Sequence, residues 1–361
     1  MTKKLFTGII GCGKVAHLHA RALKNAKNSR FKAVFSRSEV KGMDFASQYG
    51  VNSYTLIDEM IRKEKLDVVV ICTPHPHHRE PAIEALRAGA NVLVEKPLAS
   101  TIGDCDAMIK AARDAGKKLG VVSQRRFYSP CQRMHEAIIS GKIGNPSLGT
   151  ILMLGWRDRD YYESDPWRGS WKEEGGGVLV NQAPHQIDLM QWFMGGEMEE
   201  LYGMWRNINH PYIEVEDTAV AVVKFKNGGI GNIVVSNSQK PGIYGKVHIH
   251  GSNGASLGVQ TDGGAMFIAG MSGILEPPVN DLWTIPGEEK MLDNWVKEDS
   301  EIFNSVDATE YYIRLQDEDF IQSVIGDRQP VVTAEEGRKT VEIFTALYRS
   351  QQDNRPVKWP L

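Results

Sequence analysis

The stretch Leu5-Phe-Thr-Gly-Ile-Ile-Gly-Cys-Gly-Lys-Val-Ala16 decides the fold. Its first six residues read as a strand, Gly11-Cys12-Gly13 as a tight turn and Val15 to Lys24 as a helix, which gives the pattern Gly11-x-Gly13-x-x-Ala16. Glycine lets the backbone pass close to a pyrophosphate, and the amides that open a helix favour its negative charge. Glycine-rich turns also serve as plain strand-to-helix connections, so the context matters. Here the turn follows a strand, opens a helix and heads an alternating β/α pattern, the setting of a doubly wound parallel sheet that binds a dinucleotide. Gly11, Gly13, Lys14 and Val15 are the candidate contacts.

Working outward, Phe31 to Phe35 reads as the second strand, and the position just past it faces the adenosine ribose. An acidic residue there would hold the 2′-hydroxyl of NAD, but the chain has Ser36-Arg37-Ser38. Ser36 and Arg37 can accept a 2′-phosphate, which admits NADP. Equally, Arg37 can stack on the adenine of either cofactor. Leu66 to Cys72 is a continuous apolar strand of the kind buried on both faces of a parallel sheet. It exits into Thr73-Pro74-His75-Pro76-His77-His78, whose prolines and lack of a nearby acidic cluster argue against a metal. Thr73, Pro74, His75 and His78 are read as packing against the cofactor, with a helix from Glu80 to Ala88 behind them. The next strand, Asn91 to Glu95, runs into Glu95-Lys96-Pro97. It delivers an amine to the crevice at the carboxyl edge of the sheet, and the proline stops the ladder. A helix from Gly103 to Ala115 and a strand from Lys118 to Ser123, followed by Gln124, complete this domain, predicted as residues 1–124.

With 361 residues and 42% hydrophobic side chains, the chain is expected to form two globular domains, the second spanning 125–361. A formal charge of −3 leaves no basic excess for nucleic acid. No apolar run reaches the ~20 residues needed to span a bilayer, and the expected location is cytoplasmic. Cys12, Cys72, Cys105 and Cys131 match neither a disulfide framework nor a zinc site. Past Gln124 strand patterns dominate. Asp217 to Phe225, the turn Asn227-Gly228-Gly229 and Ile230 to Val235 form a hairpin, and Val247 to Gly251 adds a strand. These predict an α+β domain on a largely antiparallel open sheet. Thr261 to Ser305 reads as a loop excursion, and Ala308 to Ile325 and Ala334 to Ser350 as closing helices.

The second half holds one dense segment, Asp165-Pro-Trp-Arg168 through Gly175-Gly-Gly-Val-Leu-Val-Asn181-Gln-Ala-Pro184-His185-Gln-Ile-Asp188. Pro184 suits a helix's first turn, which puts His185 and Asp188 on one face. Asn181 can cap that helix or reach a pocket. His185 reads either as a buried histidine bonded to Asp188 or as a functional group. Trp156, Tyr161, Tyr162, Trp167 and Trp171 suit the apolar face of a pyranose as well as core packing.

Taken in order, Gly11-x-Gly13-x-x-Ala16, Glu95-Lys96-Pro97 and Gly175-Gly-Gly-x-Leu179-x-Asn181-x-x-x-His185-x-x-Asp188 resemble the Gfo/Idh/MocA family of nicotinamide-dependent sugar and cyclitol oxidoreductases. The resemblance spans nearly the whole chain. It implies a Rossmann domain that binds NAD or NADP, a C-terminal sheet often used for homo-oligomerisation, catalytic Lys96 and His185, and Trp167-Arg168 near nicotinamide or substrate. Glu95 and Gln124 join the implied cofactor contacts. Asn181, Tyr161, Tyr162, Trp167, Arg168 and Asp188 are expected to bind substrate, with no metal. Many members carry an aspartate at the position of Asn181. An asparagine stays neutral and cannot accept a proton, so the base falls to His185 or Lys96. His185 is favoured because an ordinary imidazole titrates near ~6.5. The expected activity is oxidation of a secondary hydroxyl on a sugar ring, the 3-hydroxyl of glucose or a glucoside being favoured. The alternatives are an inositol dehydrogenase and a non-catalytic dinucleotide sensor.

Overall fold

The computed structural model describes residues 3–261 and 276–361. Tertiary contacts divide them into two units, residues 1–124 with 309–341, and residues 125–308 with 342–361. The first unit alternates strands and helices: β1 (Leu5–Ile10), α1 (Lys14–Asn25), β2 (Ser29–Phe35), α2 (Glu39–Tyr49), β3 (Asn52–Tyr54), α3 (Ile57–Glu64), β4 (Val68–Ile71), α4 (Arg79–Arg87), β5 (Asn91–Val94), α5 (Ile102–Ala115) and β6 (Leu119–Val121). All strand pairs here are parallel, in the order β3-β2-β1-β4-β5-β6. The all-apolar β4, and β5, which is apolar after Asn91, are buried at every position, as a sheet covered on both faces requires.

The second unit carries α6 (Ser129–Ile139), β7 (Pro146–Leu154), α7 (Arg159–Glu163), α8 (Val178–Asn181), α9 (Pro184–Met194), β8 (Met198–Arg206), β9 (Thr218–Phe225), β10 (Ile230–Ser236), β11 (Tyr244–Gly251), β12 (Ser256–Gln260), β13 (Val279–Trp283), α10 (Leu292–Ser305) and, near the carboxyl end, β14 (Val357–Lys358). Its sheet runs β13-β12-β11-β7-β10-β9-β8-β14, and only β7 and β10 pair in parallel. The mixed α/β architecture expected from the pattern is present in both sheets. One face of the second sheet is packed and the other open. Along β9 every second residue is buried, while Val220, Val222 and Lys224 point outward.

Two readings change. Residues predicted as a loop excursion include β13 and α10; the part from 262 to 275 lies outside the described residues. Their patterns were short and flanked by Gly, Pro and Trp, so local signals concealed an edge strand and an amphipathic helix. The chain also returns to its first unit. Residues 309–341, most of α11 (Ala308–Ile325) and the start of α12 (Ala334–Asp353), group with residues 1–124 rather than with the second unit. Phe320 and Ile321 of α11 join the core formed by Leu5, Ile9, Leu23 and Val70. No hydropathy pattern tells a helix which of two cores it will bury against.

Candidate active-site residues in each unit

In the first unit, the glycine turn and Lys96 both sit at carboxyl ends of strands of one parallel sheet, after β1 and β5. Strand order reverses between β1 and β4, and β5 lies next to β4. That reversal marks the ligand crevice of open α/β sheets. Gly11 has φ +108°, and a Cβ there would lie 2.8 Å from the Cys72 carbonyl oxygen. Gly13 opens α1 in an extended conformation with no side-chain cap on the helix amides. A backbone stripped of side chains at an uncapped helix start fits a dinucleotide pyrophosphate. The buried side-chain oxygen of Gln124, which has no hydrogen-bond partner, fits a donor from the same cofactor. At the end of β2, Ser36 is buried and its hydroxyl accepts from Ser38 N at 3.2 Å, while Arg37 is exposed.

The histidine-rich loop is a structural tie. His75 is buried at the start of a short 3-10 turn, and Thr73 donates its hydroxyl to the His77 carbonyl at 2.9 Å. His78 was read as a cofactor contact. Its ring is instead 1% exposed, with Nε2 2.9 Å from the Thr73 carbonyl and Nδ1 3.0 Å from that of Pro97. It holds the exit of β4 to the exit of β5, and burial lowers its pKa. Among the described residues no group of acidic, histidine and cysteine side chains could hold a metal ion.

Glu95 is likewise taken up inside the unit. Its Oε1 lies 3.0 Å from His19 Nε2, and its Oε2 accepts the backbone N–H of Lys96 at 3.0 Å. The other nitrogen of His19 faces Asp317 of α11 at 3.0 and 3.1 Å. Burial alone would depress the His19 pKa, but Asp317 and then Glu95 outweigh it and raise it to about 10. Neither His19 nor Asp317 stands out in the sequence. The available signal was an ionisable residue on the apolar face of each helix, which when buried demands a partner.

The second unit gathers the other predicted residues around one phenol. Tyr161 and Tyr162 are buried, 3% and 6% exposed, so their rings pack inside the unit rather than forming an open aromatic wall. The Tyr161 hydroxyl accepts from Arg168 Nη1 at 2.5 Å, Gln182 Nε2 at 2.8 Å and Asn181 Nδ2 at 3.1 Å. The guanidinium of Arg168 stacks 4.2 Å from the Tyr161 ring and 4.4 Å from that of Trp167, and it pairs with Asp165. Asn181 ends α8 instead of capping α9, which begins after Ala183 with Pro184 in its first turn. The Asn181 amide also donates to Glu174, a carboxylate 1% exposed that accepts Gly169 N–H as well.

Beneath them Glu216 accepts the N–H groups of Gly177 and Leu179 and the Tyr348 hydroxyl, each between 2.9 and 3.0 Å. A Cβ at Gly177 would run into the Glu216 backbone oxygen, which is why the turn into α8 needs a glycine there. Burial pushes the Glu216 carboxyl up to about 7, against the pull of those backbone amides. Glu174 and Glu216 had no sequence signal.

His185 and Asp188 are buried on α9. The Asp188 carboxylate is gripped by a guanidinium. Its two oxygens take Arg126 Nε at 2.8 Å and Nη2 at 2.7 Å, with the guanidinium 5.0 Å from the Trp192 ring. A fork-shaped cation matches a carboxylate better than an imidazole does, so Asp188 anchors the helix that carries His185 instead of presenting an oxygen to substrate.

Residues 5–123 match the oxidoreductase family model described as the Gfo/Idh/MocA NAD-binding Rossmann fold, and residues 131–256 match that family's C-terminal domain. Myo-inositol 2-dehydrogenase of Thermotoga maritima is 30% identical over 254 residues, 68% of this chain and 73% of that protein. The 1,5-anhydro-D-fructose reductase of Ensifer adhaerens is 28% identical over 252 residues, 70% of this chain and 74% of the other. In three dimensions, the WlbA dehydrogenase from Bordetella pertussis, solved in complex with NADH and UDP-GlcNAcA, superposes with TM-score 0.87 at 26% identity, covering 100% of this chain and 99% of that one.

Proposed function

Because the chain belongs to the Gfo/Idh/MocA family of oxidoreductases, we propose that it is an NAD(P)-dependent dehydrogenase of a secondary hydroxyl on a sugar ring, with the 3-hydroxyl of glucose or a glucoside favoured. The observation that carries the reading is Lys96, delivered at the carboxyl end of β5, two strands from the bare glycine turn after β1 and across the strand-order reversal from it, and fixed through its own N–H by the buried Glu95. When bound, the nicotinamide takes up or returns the hydride. Gly11, Gly13, Lys14 and Val15 hold its pyrophosphate, and Ser36 and Arg37 meet the ribose and admit a 2′-phosphate. The Lys96 ammonium donates a hydrogen bond to the reacting oxygen and stabilises the developing alkoxide. His185 takes the hydroxyl proton. Asn181 stays neutral and orients the sugar, its place set by Tyr161 and Glu174. The nearby Arg168 and Gln182 add polar groups of the kind that recognise hydroxyls.

The relatives named for inositol and for 1,5-anhydro-D-fructose, and the one solved with a nucleotide sugar, support a polyhydroxylated ring as substrate. The identity to myo-inositol 2-dehydrogenase favours a second reading, oxidation of a cyclitol. Reduced-nicotinamide absorbance, followed with NAD or NADP and glucose, simple glucosides or myo-inositol in turn, separates the two. Turnover of glucosides but not inositol supports the first reading, and the reverse result replaces it with the second. Silence with every ring, together with unchanged cofactor binding, points to a dinucleotide sensor.

The open face of the second sheet supports assembly with a second copy. Met204, Val220, Val234 and Leu152 line up across β8, β9, β10 and β7, with Tyr202 beside Val222 in the next row. An apolar face of this kind marks an interaction site. Light scattering of the Val222→Asp variant checks it, a shift to monomer being the expected result. For the described residues, no helix is long and apolar enough to cross a membrane.

A further inference from the structure

We propose that Asp317, His19 and Glu95 form a buried positioning device for Lys96, in which an imidazolium clamped between two carboxylates holds Glu95 ionised and Glu95 fixes the peptide from which the lysine side chain departs. The inference rests on the reading that Lys96 serves the reaction.

The geometry comes from three distant segments of one unit. His19 lies on α1, three residues beyond Ala16 of the glycine pattern, Glu95 follows β5, and Asp317 arrives on the returning helix α11. The His19 and Asp317 side chains are 0% exposed and that of Glu95 11%. An ionised carboxylate can only accept, so a ring with a carboxylate at each nitrogen satisfies both by carrying two protons. His19 is therefore the cation of the cluster. Its pairing leaves Glu95 Oε2 to accept the Lys96 N–H, one bond from the Cα that carries the amine. Burial raises the Asp317 pKa while His19 lowers that of Glu95 against its burial, so the far carboxylate takes any extra proton first and the near one stays charged.

Other ionisable groups face the cluster. Cys72, the residue after β4, sits beside both carboxylates, its thiol pushed up first by burial and then by Glu95 and Asp317. His78, ahead of α4, feels Glu95 but is kept low by burial. Glu318 repels Asp317 on α11, and Lys96 itself attracts Glu95. Of these groups only His19 places a proton donor between the two carboxylates.

The test compares wild type with Lys96→Ala, Asp317→Asn and His19→Gln, using whichever ring the wild type oxidises. NAD binding is measured by titration, kcat and KM from pH 6 to 9 as ratios to wild type, and the His19 charge by 15N NMR of its ring nitrogens. A glutamine carries no charge. Without the cation two buried carboxylates face one another, and the pair takes up a proton near neutrality. His19→Gln should therefore lose on the order of 10- to 100-fold in kcat, the scale of a misplaced catalytic group. NAD affinity should stay within about threefold, and the kcat ratio should rise with pH as Glu95 ionises. Asp317→Asn keeps the His19–Glu95 pair, so its loss should be smaller and its kcat ratio should fall as pH rises and His19 gives up its second proton. A simple packing defect would not produce opposite pH trends in two variants of one cluster.

Three results decide the matter without turnover by the variants or despite it. A neutral His19 ring at pH 8 in the wild type overturns the proposal. So does Lys96→Ala abolishing turnover while both cluster variants keep the wild-type kcat ratio at every pH. If Lys96→Ala turns over at nearly the wild-type rate, the underlying reading of Lys96 has failed instead. Should His19→Gln not fold, Asp317→Asn and the NMR measurement carry the test.

Discussion

The two units hold their candidate functional side chains by different physics. In the first unit the device behind Lys96 is ionic, three formally charged groups from three remote stretches of chain, all buried. In the second, Asn181 and Arg168 meet on a neutral phenol, Tyr161, and nearly every partner comes from the single stretch 158–188. A buried charge cluster resists salt and tolerates no missing member, because desolvation leaves the remaining charges unpaired. A phenol hub is looser, since each of its bonds contributes about 1 kcal/mol net and none carries a full desolvation penalty. The first arrangement suits a group that must not move during reaction, and the second suits groups that must adapt to a ring of hydroxyls.

The second unit contains its own ionic element, which sharpens this contrast with the largest expected effect. Arg126 and Asp188 are 2% and 6% exposed and share two hydrogen bonds. Arg126→Met leaves the Asp188 carboxylate buried without its fork. Unfolding in urea, followed by tryptophan fluorescence, should show a loss of about 3–5 kcal/mol. A loss below about 1 kcal/mol would mean that burial does not make this pair behave like the cluster behind Lys96.

Next in size is the pH dependence, where the two units should differ in window. His19 has a pKa raised in the folded state, so its contribution is complete below its unfolded value near 6.5 and fades as pH climbs towards about 10. Glu216 is also raised, from 4.5 to about 7, so its contribution is complete below 4.5 and is lost as pH rises through 7. A shift of that size links on the order of 3 kcal/mol to one proton. The Glu216 contribution should therefore be lost between about pH 4.5 and 7, before most of the His19 contribution, which fades from about 6.5 towards 10. Glu216→Gln should flatten that slope, with the amide oxygen retaining one of the backbone bonds. Hydrogen exchange read separately for the amides of Gly177 and Leu179 and for those of β5 would follow the two windows.

How much of this was legible beforehand depends on the range of the interactions. The glycine turn, the strand into Lys96 and the helix after Pro184 announce themselves within a dozen residues, because local backbone chemistry dictates them. So do the resemblance that named the family and the alternation of the central strands of the second sheet. The sequence did not reveal who partners whom. His185 three positions away was one candidate partner for Asp188, and nothing local pointed to the guanidinium 62 residues upstream that grips it. Glu95 looked like a cofactor contact because its bond to His19 spans 76 residues and that between His19 and Asp317 spans 298. Tyr161 and Tyr162 read as a sugar platform because aromatic character is visible in sequence and burial at a hub is not.

The mildest prediction addresses that hub and sets it directly against the cluster behind Lys96. Tyr161→Phe keeps the ring on which Arg168 stacks and removes only the oxygen that Arg168, Asn181 and Gln182 address. Each donor retains another candidate partner: Asp165 for Arg168, Glu174 for Asn181 and, for Gln182, the side chain of Asn237 that already donates to its carbonyl oxygen. The stability loss should accordingly be about 1–2 kcal/mol, below the penalty for leaving all three unsatisfied. On the proposed function these groups orient the sugar and take no proton, so KM for the ring should rise roughly fivefold, about 1 kcal/mol of lost binding, with kcat and NAD affinity nearly unchanged. His19→Gln should show the converse, a fall in kcat with little change in KM. If Tyr161→Phe instead lowers kcat and leaves KM alone, the phenol is holding a reacting group, and the division of labour proposed for the two units is wrong.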